Sequence, residues 1–241
     1  MQSVLFRDLG RMSYQQAWDY QELLMKGNLD IKAANRVAEE SAGPIQPTQH
    51  YLLYVEHPPV FTLGKSGSID NVLMSEEHLK RMGIDFFRTN RGGDITFHGP
   101  EQLVGYPILD LERFYTDIGK YLRNIEEIII RTLADYGLKG DRSQGETGVW
   151  LDPDIKGKER KICAIGVRSS RWVTMHGFAL NVNTNLDYFN MIVPCGIPDK
   201  QVTSLEKELG RTVDMNEVKQ RVSKHFEEVF EVALQPWEAA S

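Results

Sequence analysis

The predicted β-strands of this sequence come in adjacent groups, and this grouping most limits the folds open to the chain. Short runs typical of strands occur at 51–55, 60–63, 85–88, 95–97 and 103–109, with one short helical pattern near 76–82. Strict alternation of strand and helix would favour a parallel βαβ sheet, whereas adjacent strands favour a mixed sheet. We therefore predict the α+β class, in which a mixed β-sheet is backed by helices.

A helical pattern opens early in the chain and then stops. Ser13 with Gln16 matches a capping box, which predicts a helix from there to about Met25. The following segment, 27–49, has no clear period and includes glycine and prolines. We predict a surface insertion near 27–49.

Longer helical patterns occupy the second half of the chain. Apolar residues recur at steps of three and four from 118 to 136, which predicts a helix with one packed face. Two further helix starts predict a helical C-terminal part over 202–241. A chain of 241 residues can bury one sizeable core, and we predict a single domain over 1–241.

Charge and cysteine content exclude several classes of protein. A formal net charge of -6 argues against a nucleic-acid binder driven by bulk electrostatics. Two cysteines in different contexts do not form a disulfide framework, which favours a reducing compartment. No apolar run approaches the ~18 to 20 residues of a membrane span, and residues 1–8 lack a signal-peptide core. We therefore expect a cytoplasmic protein that binds neither nucleic acid nor a membrane.

Cys195 lies between Pro194 and Gly196, which break both helix and sheet ladder and so predict a tight loop. A thiol held on a loop is a candidate nucleophile, because the thiolate is intrinsically reactive. The alternative is a small hydrophobic core residue, which is the usual role of a free cysteine. Cys163, by contrast, lies in a run that predicts a buried strand.

Two glycine-containing blocks carry further candidates. In the block 91–100, paired glycines let the backbone approach a ligand while the arginine binds an anionic or polar group. His98 near its end either orients a substrate or is a buried core histidine. In the block 172–182, His176 and Gly177 interrupt a strand pattern, as happens where a ligand approaches or at a β-bulge.

Lys161 stands at the start of the predicted strand 162–167, after a charged loop. Most such lysines are solvated. An ammonium beside a thiol, however, lowers the thiol pKa from its unperturbed value of ~8.5. Lys161 is therefore a candidate for activating a cysteine or for moving a proton.

Two other chemistries can be weighed from the same residues. The histidines and cysteines show no C-x-x-C or H-E-x-x-H spacing, so no metal site is predicted. Cysteine–histidine catalysis of the hydrolase type stays open, because either His98 or His176 could act as a base toward Cys195.

Many segments, in order along the chain, carry a resemblance to a known family. They are Glu56-His57-Pro58-Pro59-Val60, Arg91-Gly92-Gly93, Thr96-Phe97-His98-Gly99-Pro100, Gln102-Leu103-Val104, Tyr106-Pro107, Gly148-Val149-Trp150, Lys161-Ile162-Cys163-Ala164-Ile165-Gly166, His176-Gly177-Phe178-Ala179-Leu180-Asn181-Val182, Pro194-Cys195-Gly196-Ile197 and Val202-Thr203-Ser204-Leu205. Together they resemble the octanoyl (lipoyl) transferases of lipoate biosynthesis. One departure is Glu101, where the family more often has glycine.

The resemblance implies a fold and a reaction. The fold is the α+β catalytic domain of the lipoate and biotin protein ligases, which is like that of the class II aminoacyl-tRNA synthetases. The reaction transfers an octanoyl or lipoyl group from acyl carrier protein to a lysine of a lipoyl domain, through a thioester on a cysteine of the enzyme. By position, Cys195 resembles the nucleophile and Lys161 its activating partner. Neither a cofactor nor a metal is implied.

The resemblance also implies an acyl pocket and specific partners. The pocket residues are Arg91, Gly92, Gly93, Asp94, Ile95, Thr96, Phe97, His98, Ala164, Ile165, Gly166, Gly177, Phe178 and Ala179. The partners are octanoyl-acyl carrier protein, the lipoyl domains of 2-oxoacid dehydrogenase E2 subunits and the glycine cleavage H protein. Three alternatives stay open: an ATP-dependent lipoate-protein ligase, a Cys–His thioester hydrolase, and a non-catalytic module that binds acyl carrier or lipoyl domains.

Overall fold

The structure, a computed structural model, describes residues 1–193 and 201–237. Its strands are β1 (Gln2–Arg11), β2 (His50–Glu56), β3 (Val60–Leu63), β4 (Asp85–Arg88), β5 (Ile95–His98), β6 (Gln102–Ile108), β7 (Gly140–Asp141), β8 (Val149–Leu151), β9 (Arg160–Ser170), β10 (Val173–Asn181), β11 (Gln201–Val202) and β12 (Val232–Pro236). Its α-helices are α1 (Tyr14–Glu40), α2 (Glu76–Arg81), α3 (Ile118–Ala134), α4 (Leu205–Leu209) and α5 (Met215–Phe230).

These strands form two sheets. The larger has the order β12-β1-β2-β6-β10-β9-β8-β7, with β11 paired to β9. In it β1 runs parallel to both β2 and β12, whereas β2, β6, β10, β9 and β8 pair antiparallel in turn. The smaller sheet has the order β4-β3-β5 and is also mixed. The α+β prediction of a mixed sheet is confirmed.

Both faces of the large sheet are covered, as β2 illustrates. Leu52 and Tyr54 pack on one face, in the core built with α3 and α5, and Leu53 and Val55 pack on the other, against α1. All four side chains are fully buried. Because successive side chains of a strand point to opposite faces, a continuous apolar run is what a strand buried on both sides requires.

The first helix is longer than predicted. Ser13 caps it by accepting a hydrogen bond from the Gln16 N–H, as expected, but α1 continues to Glu40 instead of ending near Met25. The predicted insertion at 27–49 is thus helical over its first part. Asn28 alone is fully buried there, so this stretch lacks the apolar stripe that reveals a helix. Neither α1 nor any other helix in the described ranges is long and apolar enough to span a membrane.

The C-terminal part is only partly helical. After α4 and α5 the chain leaves the helix at Glu231, whose φ of 55° is left-handed, and forms β12. This strand pairs in parallel with β1, and Val4 lies opposite Leu234. The prediction of a helical part over 202–241 is therefore wrong for Val232–Pro236, where pairing with a distant strand overrides the local pattern.

The turn from β5 to β6 accounts for the departure noted at Glu101. Its φ of 60° lies in the left-handed region, where glycine is free of the steric cost that other residues bear. The turn is held on both sides, because the Glu101 N–H donates to the Glu56 carboxylate at 3.0 Å and the Asn183 N–H donates to the Glu101 carbonyl at 3.0 Å. These bonds keep a glutamate in a conformation that favours glycine.

Candidate active site

One cavity of about 420 Å³ lies between β5 of the small sheet and β6, β9 and β10 of the large sheet. Most of the predicted site residues line it: Arg91, Gly93, Asp94, Ile95, Thr96, His98, Lys161, Ala164, Ile165, Gly166, Gly177, Phe178 and Ala179. The fold therefore brings two blocks that are distant in the sequence into one concave site. Such a site, largely apolar with a few polar groups, is the usual form of a small-molecule pocket.

Two predicted pocket residues have other roles. Phe97 lies on the opposite face of β5 from Thr96 and His98, and its ring stacks on Tyr188 with centroids 4.5 Å apart. Gly92 donates its N–H to the Val167 carbonyl at 2.9 Å, which attaches the glycine loop to β9. Both residues support the cavity from behind instead of lining it.

The floor of the cavity is main chain, because two glycines face each other across β9 and β10. Gly166 pairs with Gly177. A Cβ on Gly177 would lie 2.1 Å from the Gly105 carbonyl oxygen, and one on Gly166 would lie 2.8 Å from the Gly92 oxygen. No side chain fits at either position without displacing backbone, so glycine is required there by close approach.

Arg91 places a buried positive charge beside this floor. Its Nη2 donates to the carbonyl oxygen of Thr62 at 2.6 Å and to the Thr62 hydroxyl at 2.9 Å. Its Nη1 donates to the Gly92 carbonyl at 3.0 Å. The side chain is 7% exposed. Arg91 thus holds the glycine loop in shape and contributes a cation to the cavity wall.

His98 has one tautomer, fixed by a chain of hydrogen bonds that ends on backbone carbonyls. The Asn181 Nδ2 donates to the Thr203 carbonyl at 3.0 Å, so the Asn181 oxygen faces and accepts from the Gln102 amide at 2.9 Å. The Gln102 oxygen therefore accepts from His98 Nδ1 at 2.9 Å. Burial, reinforced by nearby His57, holds the His98 pKa well below its usual value. His98 is neutral and carries its proton on Nδ1.

His176 is likewise a neutral, buried ring. The Asn90 amide nitrogen donates to the Glu22 carboxylate at 3.1 Å, which leaves the Asn90 oxygen to accept from His176 Nε2 at 2.7 Å. Burial, together with the charge of Arg91, lowers the His176 pKa to about 3. Its φ of 60° accompanies the break in strand pattern seen in the sequence. Both cavity histidines are neutral, and burial makes each of them a weak proton acceptor at neutral pH.

Lys161, near the start of β9, lines the cavity. Its Nζ is 4.6 Å from the centroid of the Trp150 ring, a cation–π contact between neighbouring strands. Its backbone pairs with Val202 of β11, and its carbonyl accepts from the Thr203 N–H at 2.9 Å. The backbone at Lys161 is therefore paired with Trp150 of β8 and with Val202 of β11.

Cys195, the predicted nucleophile, lies outside the described residues, as do all of 194–200. The described residues just before this gap are attached near the cavity. The Val193 N–H donates to the Asn71 carbonyl at 2.8 Å, and the Asn71 amide donates to the cavity residue Asp94 at 2.6 Å. After the gap, Val202 lines the cavity itself.

Cys163 is a core residue, as predicted. It is fully buried in β9, and burial raises the pKa of its thiol far above the usual value. A thiol in this state is inert as a nucleophile. Within 1–193 and 201–237, no group of three or more His, Cys, Asp or Glu side chains is arranged to hold a metal ion.

Sequence reasoning missed several lining residues. They are Tyr14, Ser66, Gln102, Val104, Tyr106, Gly145, Glu146, Thr147, Asn181, Phe189 and Val202. His176, a candidate from the sequence, lines the cavity as well. Some of the missed residues carried a signal, because Gln102, Val104, Tyr106, Asn181 and Val202 belong to the segments that resemble the transferase family. Tyr14 carried none, since it is the first residue of an ordinary capped helix.

Comparison with known proteins gives close relatives along nearly the whole chain. An octanoyltransferase from Christiangramia forsetii is 56% identical over 232 residues, which cover 96% of this chain and 97% of the relative. An octanoyltransferase from Flavobacterium psychrophilum is 56% identical over 233 residues, which cover 96% and 98% of the two chains. Each match therefore covers nearly the whole length of both proteins.

Solved structures show the fold. The bipartite lipoate protein ligase of Thermoplasma acidophilum superposes with a TM-score of 0.69 at 18% identity, covering 98% of this chain and 87% of that one. A lipoate-protein ligase A bound with ATP gives a TM-score of 0.67 at 15% identity, covering 98% and 89%. The predicted ligase-like fold is therefore confirmed. The family model of the lipoyl protein ligase A/B catalytic domain matches residues 13–227, and the chain belongs to that family.

Proposed function

We propose that this chain transfers an octanoyl group from acyl carrier protein to a lysine of a lipoyl domain, through a thioester on Cys195. The observation that carries the proposal is the cavity, which is lined by Lys161 and by the apolar and glycine surfaces from Ala164 to Gly166. Its curated relatives are octanoyltransferases. An enzyme of this kind is an acyltransferase, and the energy for transfer comes from the carrier thioester.

The first half-reaction exchanges one thioester for another. The Cys195 thiolate attacks the carbonyl carbon of the carrier thioester, and the tetrahedral oxyanion collapses as the carbon–sulfur bond to the carrier breaks. The Lys161 ammonium, which favours the thiolate by its charge, gives its proton to the departing carrier sulfur. The products are an octanoyl thioester on Cys195, a free carrier thiol and a neutral Lys161.

The second half-reaction forms the amide. The neutral amine of the acceptor lysine attacks the Cys195 thioester, and the carbon–sulfur bond breaks to release the Cys195 thiolate. Lys161, neutral after the first step, takes the proton that the attacking nitrogen loses. The cycle ends with the ammonium and thiolate with which it began, so the balance requires no other reactant.

The histidines weigh against the hydrolase alternative. A Cys–His pair needs an imidazole that can accept a proton at neutral pH. Burial depresses the pKa of both His98 and His176. Lys161 is therefore the better activating group for a nucleophile at this site.

The donor and acceptor proteins follow from the same reaction. The acyl donor is octanoyl-acyl carrier protein, with a lipoyl chain as a further acyl group of the same kind. The acceptors are the lipoyl domains of 2-oxoacid dehydrogenase E2 subunits and the glycine cleavage H protein. With these partners, the enzyme is proposed to act in the cytoplasm.

The decisive experiment follows the acyl group by intact mass. The protein is incubated with octanoyl-acyl carrier protein without ATP, and a lipoyl domain is added afterwards. We expect an octanoyl adduct on Cys195 that moves to the lipoyl domain. The Cys195→Ser variant should form no thioester, whereas the matched Cys163→Ala variant should behave as the wild type does.

Each alternative gives a different outcome. Release of the adduct only as free octanoate would indicate a hydrolase. Labelling of the lipoyl domain that requires octanoate and ATP would indicate a ligase. Binding of the carrier with no adduct would indicate a non-catalytic module, and any of these results would overturn the proposal.

A further inference from the structure

Glu126, on helix α3, is a fully buried carboxylate that the proposed reaction does not use. Its Oε2 accepts from Arg123 Nη1 at 2.7 Å and from Arg142 Nε at 3.1 Å. Its Oε1 accepts from the Gly148 N–H at 3.0 Å. Burial raises the pKa of this carboxyl, and the three donors oppose the rise. A buried ion pair often stabilises a protein no more than apolar residues of similar size would, so stability alone gives little reason for a charge here.

The Glu126 carboxylate binds both ends of the loop 142–148. Arg142 opens this loop directly after β7, and Gly148 closes it directly before β8. The middle of the loop, 145–147, lines the cavity. One side chain of α3 therefore fixes where the loop enters and where it leaves the wall of the cavity.

Gly148 lies against the side chain of Lys161. A Cβ on this glycine would be 3.5 Å from Lys161 Cε and 3.6 Å from Lys161 Cδ, and only 2.7 Å from the Cys163 carbonyl oxygen. Two residues further on, the centroid of the Trp150 ring is 4.6 Å from Lys161 Nζ. The segment that Glu126 holds thus forms one side of the space that the Lys161 side chain occupies.

We propose that Glu126 is a positioning residue for Lys161. By binding the Gly148 N–H, it keeps the loop 142–148 against the methylene groups of Lys161 and so fixes the ammonium where it exchanges protons in the reaction. This inference rests on the proposed function for the role of Lys161. Without the carboxylate, a buried N–H would lose its acceptor, and the loop would have to move to find another. A displacement of about 1 Å at a reacting group can slow a reaction about a hundredfold.

A spectroscopic test follows the position of Lys161 without any substrate. Protons above the face of an indole ring resonate upfield, so Trp150 should shift the Lys161 Cε protons upfield. We would record proton–carbon correlation spectra of protein labelled at lysine Cε, and assign the signal by its loss in Lys161→Met. The amide of Glu126→Gln has one accepting oxygen for donors that use two in the wild type. In this variant, the signal should move toward the position of exposed lysines.

Glu127→Gln is the matched control. Glu127 is the next residue of α3, and its oxygens accept from Arg131 at 3.0 Å and from Arg142 at 2.8 Å, away from the Gly148 N–H. This change should leave the Lys161 signal in place. Glu126→Asp is a second variant in case Glu126→Gln does not fold, because it keeps the charge but shortens the side chain by about 1.5 Å. It should also move the signal.

A double-mutant cycle measures the effect on transfer. Glu126→Gln should lower the single-turnover rate of octanoyl transfer about tenfold in the wild-type background. In the Lys161→Met background it should lower the rate by less than about twofold, because a positioning residue has no effect once the group that it positions is gone. A residue with a purely structural role would lower the rate by the same factor in both backgrounds.

The inference is overturned if the Lys161 signal keeps its shift in the Glu126 variants, or if Glu127→Gln moves it as far. It is also overturned if Glu126→Gln slows transfer equally in both backgrounds. If the wild type transfers no octanoyl, or if Lys161→Met transfers it at the wild-type rate, the proposed function or the role of Lys161 fails. The Lys161 signal then still decides whether Glu126 positions this side chain.

Discussion

The Asp94 carboxylate accepts a hydrogen bond of 2.6 Å from the side-chain amide of Asn71, and this bond links the cavity to the chain before Cys195. The Asn71 carbonyl in turn accepts from the Val193 N–H. We expect Asp94→Ala to slow formation of the acyl-enzyme about tenfold, because it removes the acceptor that holds Asn71 in place. Single-turnover mass spectrometry with octanoyl-acyl carrier protein measures this rate.

Asp94→Asn is the matched variant for that test. It keeps an oxygen that can accept from Asn71 and removes only the charge. The rate of acyl-enzyme formation should therefore be much closer to that of the wild type than in Asp94→Ala. Equal losses in both variants would mean that Asp94 acts through its charge and not through its hydrogen bond to Asn71.

Lys161 gives a second prediction, because its proposed charge acts directly on the nucleophile. Lys161→Met keeps the length of the side chain without its charge and should raise the pKa of the Cys195 thiol. The pH profile of iodoacetamide labelling should move to higher pH, and transfer to the lipoyl domain should fall at least a hundredfold. Lys158→Met, at an exposed position of the preceding loop, should leave both unchanged. An unmoved labelling profile in Lys161→Met would contradict the assigned role.

Gly177 gives a prediction about stability. Its Cβ would lie 2.1 Å from the Gly105 carbonyl oxygen, so Gly177→Ala must separate β10 from β6 and should lower the free energy of unfolding by about 3 kcal/mol or more. Gly27→Ala is the control, since nothing lies within 4 Å of its Cβ in helix α1. That change should stabilise the protein by about 0.5–1 kcal/mol. Urea unfolding measures the free energy of unfolding of both variants. If the two values are similar, the close contact between position 177 and the Gly105 carbonyl is refuted.

Four buried histidines make stability depend on pH. Burial lowers the pKa of His50 and of His57 to about 4 and that of His176 to about 3, and places that of His98 well below its usual value. The unfolded chain therefore binds more protons than the folded one below pH 6.5, and stability falls as pH drops from 6.5 toward 4. At pH 5.5 the four groups together cost about 5 kcal/mol, a large share of the stability of a domain.

Urea unfolding at pH 7.5 and pH 5.5 measures this cost. His50→Gln removes one titrating ring away from the cavity and should reduce the pH dependence by about a quarter. A free energy of unfolding that is the same at both pH values would rule out the neutral burial of these rings.

The sequence predicted the strands and helices whose own residues form an apolar run or stripe. The strands around 51–55 and 103–109 were found because both faces of the central sheet are buried, which leaves a continuous apolar run. The second half of α1 was missed because side-chain hydrogen bonds take the place of an apolar stripe. Asn28 bonds the backbone of Gln49, and Asn35 bonds that of Gln46.

The sequence also predicted part of the candidate site. Residues within the two glycine blocks were assigned together, but Ile95, Thr96 and His98 line the cavity and Phe97 does not. Strand alternation does not make this distinction, because Ile95 and Phe97 share one face of β5. Relationships between distant segments carry no local signal. The chain from Gln102 through Asn181 to Thr203, which fixes the His98 tautomer, exists only after folding.

The main-chain floor at Gly166 and Gly177 has a consequence for how this site can change over time. Side chains lining a pocket can adopt other rotamers or be exchanged one at a time, but a floor of hydrogen-bonded backbone has no rotamers to vary. At these two positions the wall of the cavity is therefore set by the spacing of β9 and β10, which no change of rotamer can alter. Variation in acyl selectivity should arise instead at lining positions that carry a side chain, such as Ile165 and Phe178.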